Sequence, residues 1–155
     1  MSAERRLREL GLVLPPPRKD RDNRVRMLRS GNTVYMSGQS GPLDAEGRPL
    51  MVGKLGRELS AQQGAEAARH TALDCLGTLK GQIGDLDRVV QVVRQLGFFN
   101  CTPEFGDLPA AMDGFTDLMV AVFGERGRST RSCIGVAELQ AGVPVEIEAQ
   151  FEIRD

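Results

Sequence analysis

The stretch RSCIGVAELQAGVPVEIEAQFEI, residues 131–153, contains two extended segments separated by a turn. In its second half, apolar side chains occupy every other position from residue 145 to residue 153, with Glu or Gln between them. Since successive side chains of a strand point to opposite faces, this alternation predicts a strand with one face on a core and one polar face. We predict a strand over 131–139, a turn around 140–142 and a second strand over 144–153.

Two helices and a third long strand are predicted in the middle of the chain. A helix over 60–83 is indicated because Ser60 and Gln63 form a capping-box pattern, after which apolar residues recur every three or four positions. A second amphipathic helix is predicted over 108–123. Between them, the β-branched segment LDRVVQVVRQLGFF, residues 86–99, predicts a strand.

The first 60 residues carry weaker signals, punctuated by proline and glycine. The predicted elements are, in chain order, a short helix over 2–11, a proline-rich strap over 14–23, a hairpin of strands 24–29 and 33–37 turning at Gly31–Asn32, and a short strand near Leu50–Lys54.

This order of elements predicts an α+β fold in which two long helices pack on one face of a mixed sheet. We expect a single domain over 1–155, in which residues 1–22 form the N-terminal helix and the strap. The other sheet face has no helices to cover it, and such a face usually packs on a partner, often another copy of the same chain.

The composition argues against a nucleic-acid surface. The formal net charge is −1 and aromatic residues make up 5% of the chain, so neither global attraction to phosphates nor stacking platforms for bases are expected. Charge is nevertheless uneven, because residues 1–30 carry nine Lys or Arg against four Asp or Glu. This basic segment is either a solvated surface or, in the more specific interpretation, a phosphate-binding patch.

No metal, cofactor or membrane is predicted. The three cysteines are widely spaced and His70 is the only histidine, which disfavours a zinc site or a disulfide framework. There is no Walker A loop and no GxGxxG motif after a strand, so a nucleotide-dependent enzyme is not expected. Because no apolar run approaches the length of a membrane span and no signal peptide is recognisable, we expect a cytoplasmic protein.

Candidate chemistry is concentrated at three places: Arg131 at the start of a strand, the SGQ turn at 37–39, and Glu146 on the last strand. A guanidinium can bind a carboxylate through two parallel hydrogen bonds, and a nearby carboxylate can position or deprotonate a water. The plainer alternatives are that Arg131 pairs with an acidic residue at the surface and that Glu146 lies on the solvent-exposed face of a strand. Cys133 is expected to be a small buried residue rather than a nucleophile.

The chain resembles the RidA/YjgF family in several motifs that occur in the family's order. RSCIGVAELQAGVPVEIEAQF, 131–151, is similar to the family's C-terminal signature, and VYMSGQ, 34–39, is similar to its SGQ strand. GKLG, the helix from Ser60, LDRVVQVV and VFGE extend the resemblance over roughly residues 23–153. The longer N-terminus and the segment GDLDRVVQVVRQLGFFN look more like a lesser-studied branch than RidA itself.

The resemblance implies a chorismate-mutase-like fold and a homotrimer whose sheets form a central barrel with three clefts between subunits. It also implies hydrolysis of reactive 2-imino or enamine acids to 2-keto acids and ammonia, without a metal or cofactor. By position, Arg131 would bind the substrate carboxylate together with the backbone amide of Cys133. Glu146 would orient the attacking water, and Ser37 and Gly38 would line the cleft.

Two positions depart from the family's pattern. Arg24 stands where RidA has a Tyr that lines the cleft, and Asp113 stands where RidA has an Asn. An additional Arg favours a dianionic or larger acidic ligand, whereas Asp113 opposes one.

Two further functions stay open at this point. On the same fold, Arg131 could hold a keto acid without turnover, as in a binding or regulatory module, and Arg24 favours that interpretation. An RNA-cleaving or translation-inhibiting activity, a label given to some members of the family, is supported only by the basic N-terminal segment and the Arg126/Arg128/Arg131 cluster.

Overall fold

A computed structural model describes residues 2–155, which form three α-helices and one five-stranded sheet. In chain order the elements are α1 (Ala3–Glu9), β1 (Met27–Ser30), β2 (Thr33–Ser40), α2 (Ala61–Ile83), β3 (Val89–Asn100), α3 (Leu108–Phe123), β4 (Thr130–Val136) and β5 (Val145–Ile153). Short 3₁₀ turns lie at Leu86–Arg88, Gly124–Gly127 and Gln140–Gly142. No helix among these residues is long and apolar enough to cross a bilayer.

The sheet is mixed, as predicted. Its strand order is β1-β2-β5-β3-β4, and β3 pairs with β4 in parallel whereas the other neighbouring pairs are antiparallel. The alternation in β5 is realised: its odd-numbered residues from Val145 to Ile153 are buried, and the even-numbered ones are half-buried or exposed. The predicted α+β class with two long helices on one sheet face is therefore confirmed.

The two long helices approach each other closely because glycine lies at their contact. A Cβ at Gly64 of α2 would lie 3.1 Å from the methyl group of Ala111 on α3, and a Cβ at Gly114 of α3 would overlap the Ala65 carbonyl oxygen of α2. Such close backbone contact fixes the position of α3 over the sheet.

Several predicted boundaries or elements are wrong. The hairpin strands expected over 24–29 and 33–37 are Met27–Ser30 and Thr33–Ser40, so the SGQ segment lies within β2 and not in a turn. The strand expected over 131–139 ends at Val136, because its partner β3 ends at Asn100, the residue paired with Val136. The strand expected at residues 50–54 is absent, since the amides of Leu50 and Gly53 donate to the carbonyls of Pro42 and Gly142 instead of forming a ladder with one strand. The strand expected from residue 86 begins at Val89, after a 3₁₀ turn capped by Asp85.

The open face of the sheet retains apolar side chains in contact with solvent. Leu28 of β1 is 59% exposed, Tyr35 beside it on β2 is 44% exposed, and Ile134 of β4 is 44% exposed. Exposed apolar residues grouped on one surface are typical of a site that packs against another protein.

Replacing Ser60 by Ala should lower the free energy of unfolding by about 1 kcal/mol, the usual contribution of an N-cap. The Ser60 hydroxyl accepts the Gln63 amide at 3.2 Å, and the Gln63 side chain accepts the Ser60 amide at 2.9 Å. Urea denaturation measures the change, and Ser60→Asp is the matched control because it keeps a cap acceptor. Equal losses in both variants would contradict the capping argument.

Candidate functional site

Arg131 lies on the edge strand β4 with its side chain toward α3. Its Nη1 donates to Asp113 Oδ1 at 2.6 Å and to Thr116 Oγ1 at 3.2 Å, both on α3. The Arg131 side chain is 28% exposed and that of Asp113 is 51% exposed. Arg131 therefore pairs with an acid of its own subunit at the protein surface, as the plainer alternative anticipated.

The pairing uses only one nitrogen of the guanidinium. Among residues 2–155, Nε and Nη2 of Arg131 make no hydrogen bond. These two nitrogens form the side of the guanidinium that can grip a carboxylate through two parallel bonds. Asp113 thus orients the arginine and leaves this side available to a ligand.

The backbone of β4 adds amide donors at the same edge. Val136 carbonyl oxygen accepts from the Cys101 amide at 3.4 Å, so Val136 turns its polar groups toward β3. Because these groups alternate in direction along a strand, the amides of Arg131, Cys133 and Gly135 point to the outer edge, where β4 has no neighbouring strand.

The Cys133 thiol itself is not activated. Burial raises its pKa, the adjacent Arg131 charge opposes that rise, and Asp113 adds to it. A thiol with a raised pKa is mostly protonated at neutral pH and is a poor nucleophile. Any role of Cys133 in binding therefore rests on its backbone amide.

Glu146 lies on the open face of β5, over an irregularity in β2. The register between β2 and β5 shifts between Met36 and Gln39, and a side chain at Gly38 would overlap the Glu146 carboxylate. Burial raises the pKa of Glu146, and the nearby charge of Glu148 raises it further. Arg24 and Arg26 act in the opposite direction.

Ser37 ties this region to the N-terminal segment. Its hydroxyl donates to the Val25 carbonyl at 2.6 Å, and its amide donates to the Arg26 carbonyl at 2.9 Å. Ser37 and Arg24 line a cleft of about 420 Å³ on the open face, together with Glu148. The serine hydroxyl donates its proton within the protein and offers a ligand only its lone pairs.

The candidate residues form two groups that do not meet within one chain. Arg131, Cys133 and Asp113 lie at the β4 edge on the helix side, whereas Arg24, Ser37, Gly38 and Glu146 lie on the open face. β3 separates β4 from β5, so the two strands are about 10 Å apart across the sheet, and the side chains diverge from there.

Three residues of these groups were not singled out from the sequence: Thr116, Gln95 and Arg26. Thr116 donates to Gln95 Oε1 at 3.0 Å, and Gln95 is fully buried with its Nε2 unpaired in the described part of the chain. A Gln inside an apolar strand was the available signal for Gln95. Nothing in the sequence marks Thr116 or Arg26 above their neighbours.

Comparison with known proteins places this chain in a family. The profile of the family described as "YjgF/chorismate_mutase-like, putative endoribonuclease" matches residues 4–140. The chain belongs to the RidA/YjgF family. It is 37% identical over 150 residues to "Protein TCP17" of Trypanosoma cruzi, which covers 96% of this chain and 92% of that protein.

Solved structures of the RidA/YjgF family separate into near and distant ones. A "putative endoribonuclease" from Shewanella oneidensis MR-1 superposes with a TM-score of 0.91 at 29% identity, covering 99% of this chain and 100% of that one. RidA from Psychrobacter sp. PAMC 21119 gives 0.58 at 24% identity, covering 89% and 94%, which shows the shared fold alone. The predicted membership of the family is confirmed, and the fold superposes more closely on the Shewanella protein than on this RidA.

The described residues contain no group of three or more His, Cys, Asp or Glu side chains that could hold a metal ion. The polar groups of the two clusters are a guanidinium and strand-edge amides in one, and a carboxyl with a raised pKa in the other. Such a set can bind an organic acid and move a proton.

Proposed function

We propose that this protein hydrolyses reactive 2-imino or enamine acids to 2-keto acids and ammonia, in a cleft between two copies of the chain. Water adds to the C=N carbon of the imino acid, the C–N bond then breaks, and ammonia leaves as the carbonyl forms. An enamine first takes up a proton on carbon and so becomes the same imine. The reaction needs a bound carboxylate, a placed water and a group that exchanges protons.

The observation that carries this proposal is the free Nε/Nη2 side of Arg131. Asp113 and Thr116 hold Nη1, which restricts the rotation of the guanidinium before a ligand arrives. A guanidinium that is already oriented loses less conformational freedom on binding a carboxylate than a mobile guanidinium does. The outward amide of Cys133 adds a donor at the same strand edge.

Glu146 supplies the proton-exchanging group. A carboxyl with a raised pKa is a better base toward water than an ordinary surface glutamate, and a protonated imine is already a strong electrophile. Holding water and imine at reacting distance can contribute several kcal/mol to the rate.

A second copy is required because Arg131 and Glu146 diverge within one subunit. The unpaired edge of β4 and the apolar open face give each copy two surfaces that can pack on a neighbour. A homotrimer whose open sheet faces meet at its centre would bring Arg131 of one copy to Glu146 of the next.

Arg131→Ala should lower kcat/KM for imine hydrolysis about 100-fold, the value of a bidentate charge-assisted contact. An amino-acid oxidase generates the imino acid, and semicarbazide traps what survives. Arg69→Ala is the matched control, because Arg69 is exposed on α2 and its side chain makes no ion pair or hydrogen bond within residues 2–155. Equal clearance by the wild type and Arg131→Ala would disprove the proposal.

A keto-acid-binding module without turnover is the second candidate, and the Arg131–Asp113 pair favours it. Asp113 would weaken binding of an anion at Arg131, so the site would respond only to high ligand concentrations. This function is tested by calorimetry with a 2-keto acid and by the imine-hydrolysis assay. Binding by the wild type that is lost in Arg131→Ala, together with no hydrolysis, would select this function over the first.

A further inference from the structure

Four arginines surround a second cavity, of about 250 Å³, beside the N-terminal strap. They are Arg18, Arg21, Arg24 and Arg26. Glu46 is the one acidic residue in the lining, and it already accepts a hydrogen bond from Arg48 at 3.1 Å. The walls of this cavity therefore carry a large excess of positive charge.

Most of this charge has no carboxylate partner in the protein. Arg18 forms an ion pair with Asp74, but Arg21, Arg24 and Arg26 form none within residues 2–155. Burial lowers the pKa of Arg26, and the charges of Arg24, Arg18 and Arg21 lower it further. Like charges held this close repel each other, and a bound anion would relieve the repulsion.

The cluster is held together by the backbone of the strap. The amide of Arg26 donates to the Asp20 carboxylate at 2.7 Å, and Arg21 and Arg24 pair through two backbone hydrogen bonds of 2.9 and 3.1 Å. The preceding prolines pack on α2, where a side chain at Gly77 or Gly81 would overlap Pro15 or Pro17. The arginines therefore project from a fixed segment.

We propose that this cavity binds a small ligand through a dianionic phosphate group. A phosphate offers several oxygens to guanidinium forks, and two negative charges match the excess positive charge better than a single carboxylate does. A volume of about 250 Å³ admits a phosphate with a small organic substituent, near the lower limit for small-molecule sites. The inference goes beyond imine hydrolysis, since Arg18 and Arg21 do not line the cleft of Ser37 and Glu148, and Arg131 does not line this cavity.

Inorganic phosphate is the probe that tests this inference. Calorimetry on the full chain at constant ionic strength should detect phosphate binding that is about tenfold weaker in Arg21→Gln, because one charge-assisted contact is lost. The Arg21 side chain is exposed and makes no hydrogen bond within residues 2–155, so the variant should fold normally, which circular dichroism checks. Arg69→Gln removes the same charge elsewhere and should bind phosphate as the wild type does.

Three outcomes would overturn the inference. If acetate binds as tightly as phosphate at equal ionic strength, the cavity attracts anions in general and does not select phosphate. Unchanged phosphate affinity in Arg21→Gln would place the phosphate elsewhere. Binding of a single-stranded RNA without binding of inorganic phosphate would assign the arginines to a polynucleotide surface. Arg131→Ala should retain phosphate binding whether or not the proposed hydrolase activity exists.

Discussion

Gly114→Ala is expected to destabilise the protein by about 2–3 kcal/mol, the upper range for overpacking in a tight contact. Gly114 lies inside α3, and a Cβ there would overlap the carbonyl oxygen of Ala65 on α2. A carbonyl oxygen cannot rotate away as the end of a side chain can, so the helices must separate. In an exposed helix the same substitution would stabilise the protein by about 1 kcal/mol. A net loss of stability in Gly114→Ala would therefore come from the contact between α2 and α3.

Urea denaturation of Gly114→Ala and of a matched Gly106→Ala variant measures this effect. Gly106 lies in the exposed loop before α3, and a Cβ there would meet no atom within 4 Å. Gly106→Ala should therefore unfold close to the wild type. A Gly114→Ala protein as stable as that control would contradict the close packing of α2 on α3.

The same contact bears on the candidate site. Asp113 and Thr116, which hold Nη1 of Arg131, flank Gly114 on α3. Separation of the helices would move both acceptors relative to β4. Small residues at the helix interface thus position the guanidinium indirectly, through the distance between α2 and α3.

Patterns in the sequence predicted those helices and strands that are determined by residues close together in the chain. The capping box at Ser60 and the alternation in β5 are set by residues close in sequence, and both are present in the structure. The end of β4 at Val136 could not be predicted, since it depends on where β3 ends. The segment at residues 50–54 was mispredicted for a similar reason, because the Gly53 amide donates to the carbonyl of Gly142, which is distant in sequence.

The candidate site was predictable as a set of residues but not as an arrangement. Residue chemistry nominated Arg131 and Glu146, and the resemblance to the family added Asp113, which contacts Arg131 across 18 positions of sequence. That Arg131 and Glu146 lie on opposite sides of the sheet depends on the register in which β3 pairs with β4 and with β5. No single-strand pattern contains that information.

Glu146→Gln is expected to lower the rate of imine hydrolysis by about 10³-fold, within the usual range for loss of a general base. The amide keeps the shape of the side chain but cannot take a proton from water. Stability should not fall at neutral pH, because the raised pKa means that burying the ionised carboxylate is unfavourable and a neutral amide removes that cost. An intact fold with lost turnover would separate the catalytic role from a structural one.

The pH profile gives an independent measure of the same group. A base must be ionised, so kcat/KM should rise with pH through the Glu146 pKa, which burial places above the ordinary 4.5. Glu148→Gln should move this acid limb to lower pH, because it removes a negative charge that raises the pKa. Arg24→Gln should move the limb to higher pH, because the Arg24 charge lowers that pKa. An acid limb unmoved by either change would assign the limb to another group.

Mixed assemblies of Arg131→Ala and Glu146→Gln chains test whether the two residues act from different subunits. In the proposed homotrimer, random mixing would join an intact Arg131 from one copy to an intact Glu146 from the next at some interfaces. Co-expressed chains should therefore recover about a quarter of the wild-type specific activity, although each variant alone is nearly inactive. The mass of the complexes verifies that mixed trimers have formed. If they show only the average activity of the two parent variants, the two residues act within one subunit or have unrelated roles. Since β3 separates β4 from β5 and the side chains face opposite sides of the sheet, the proposed intersubunit site predicts recovery.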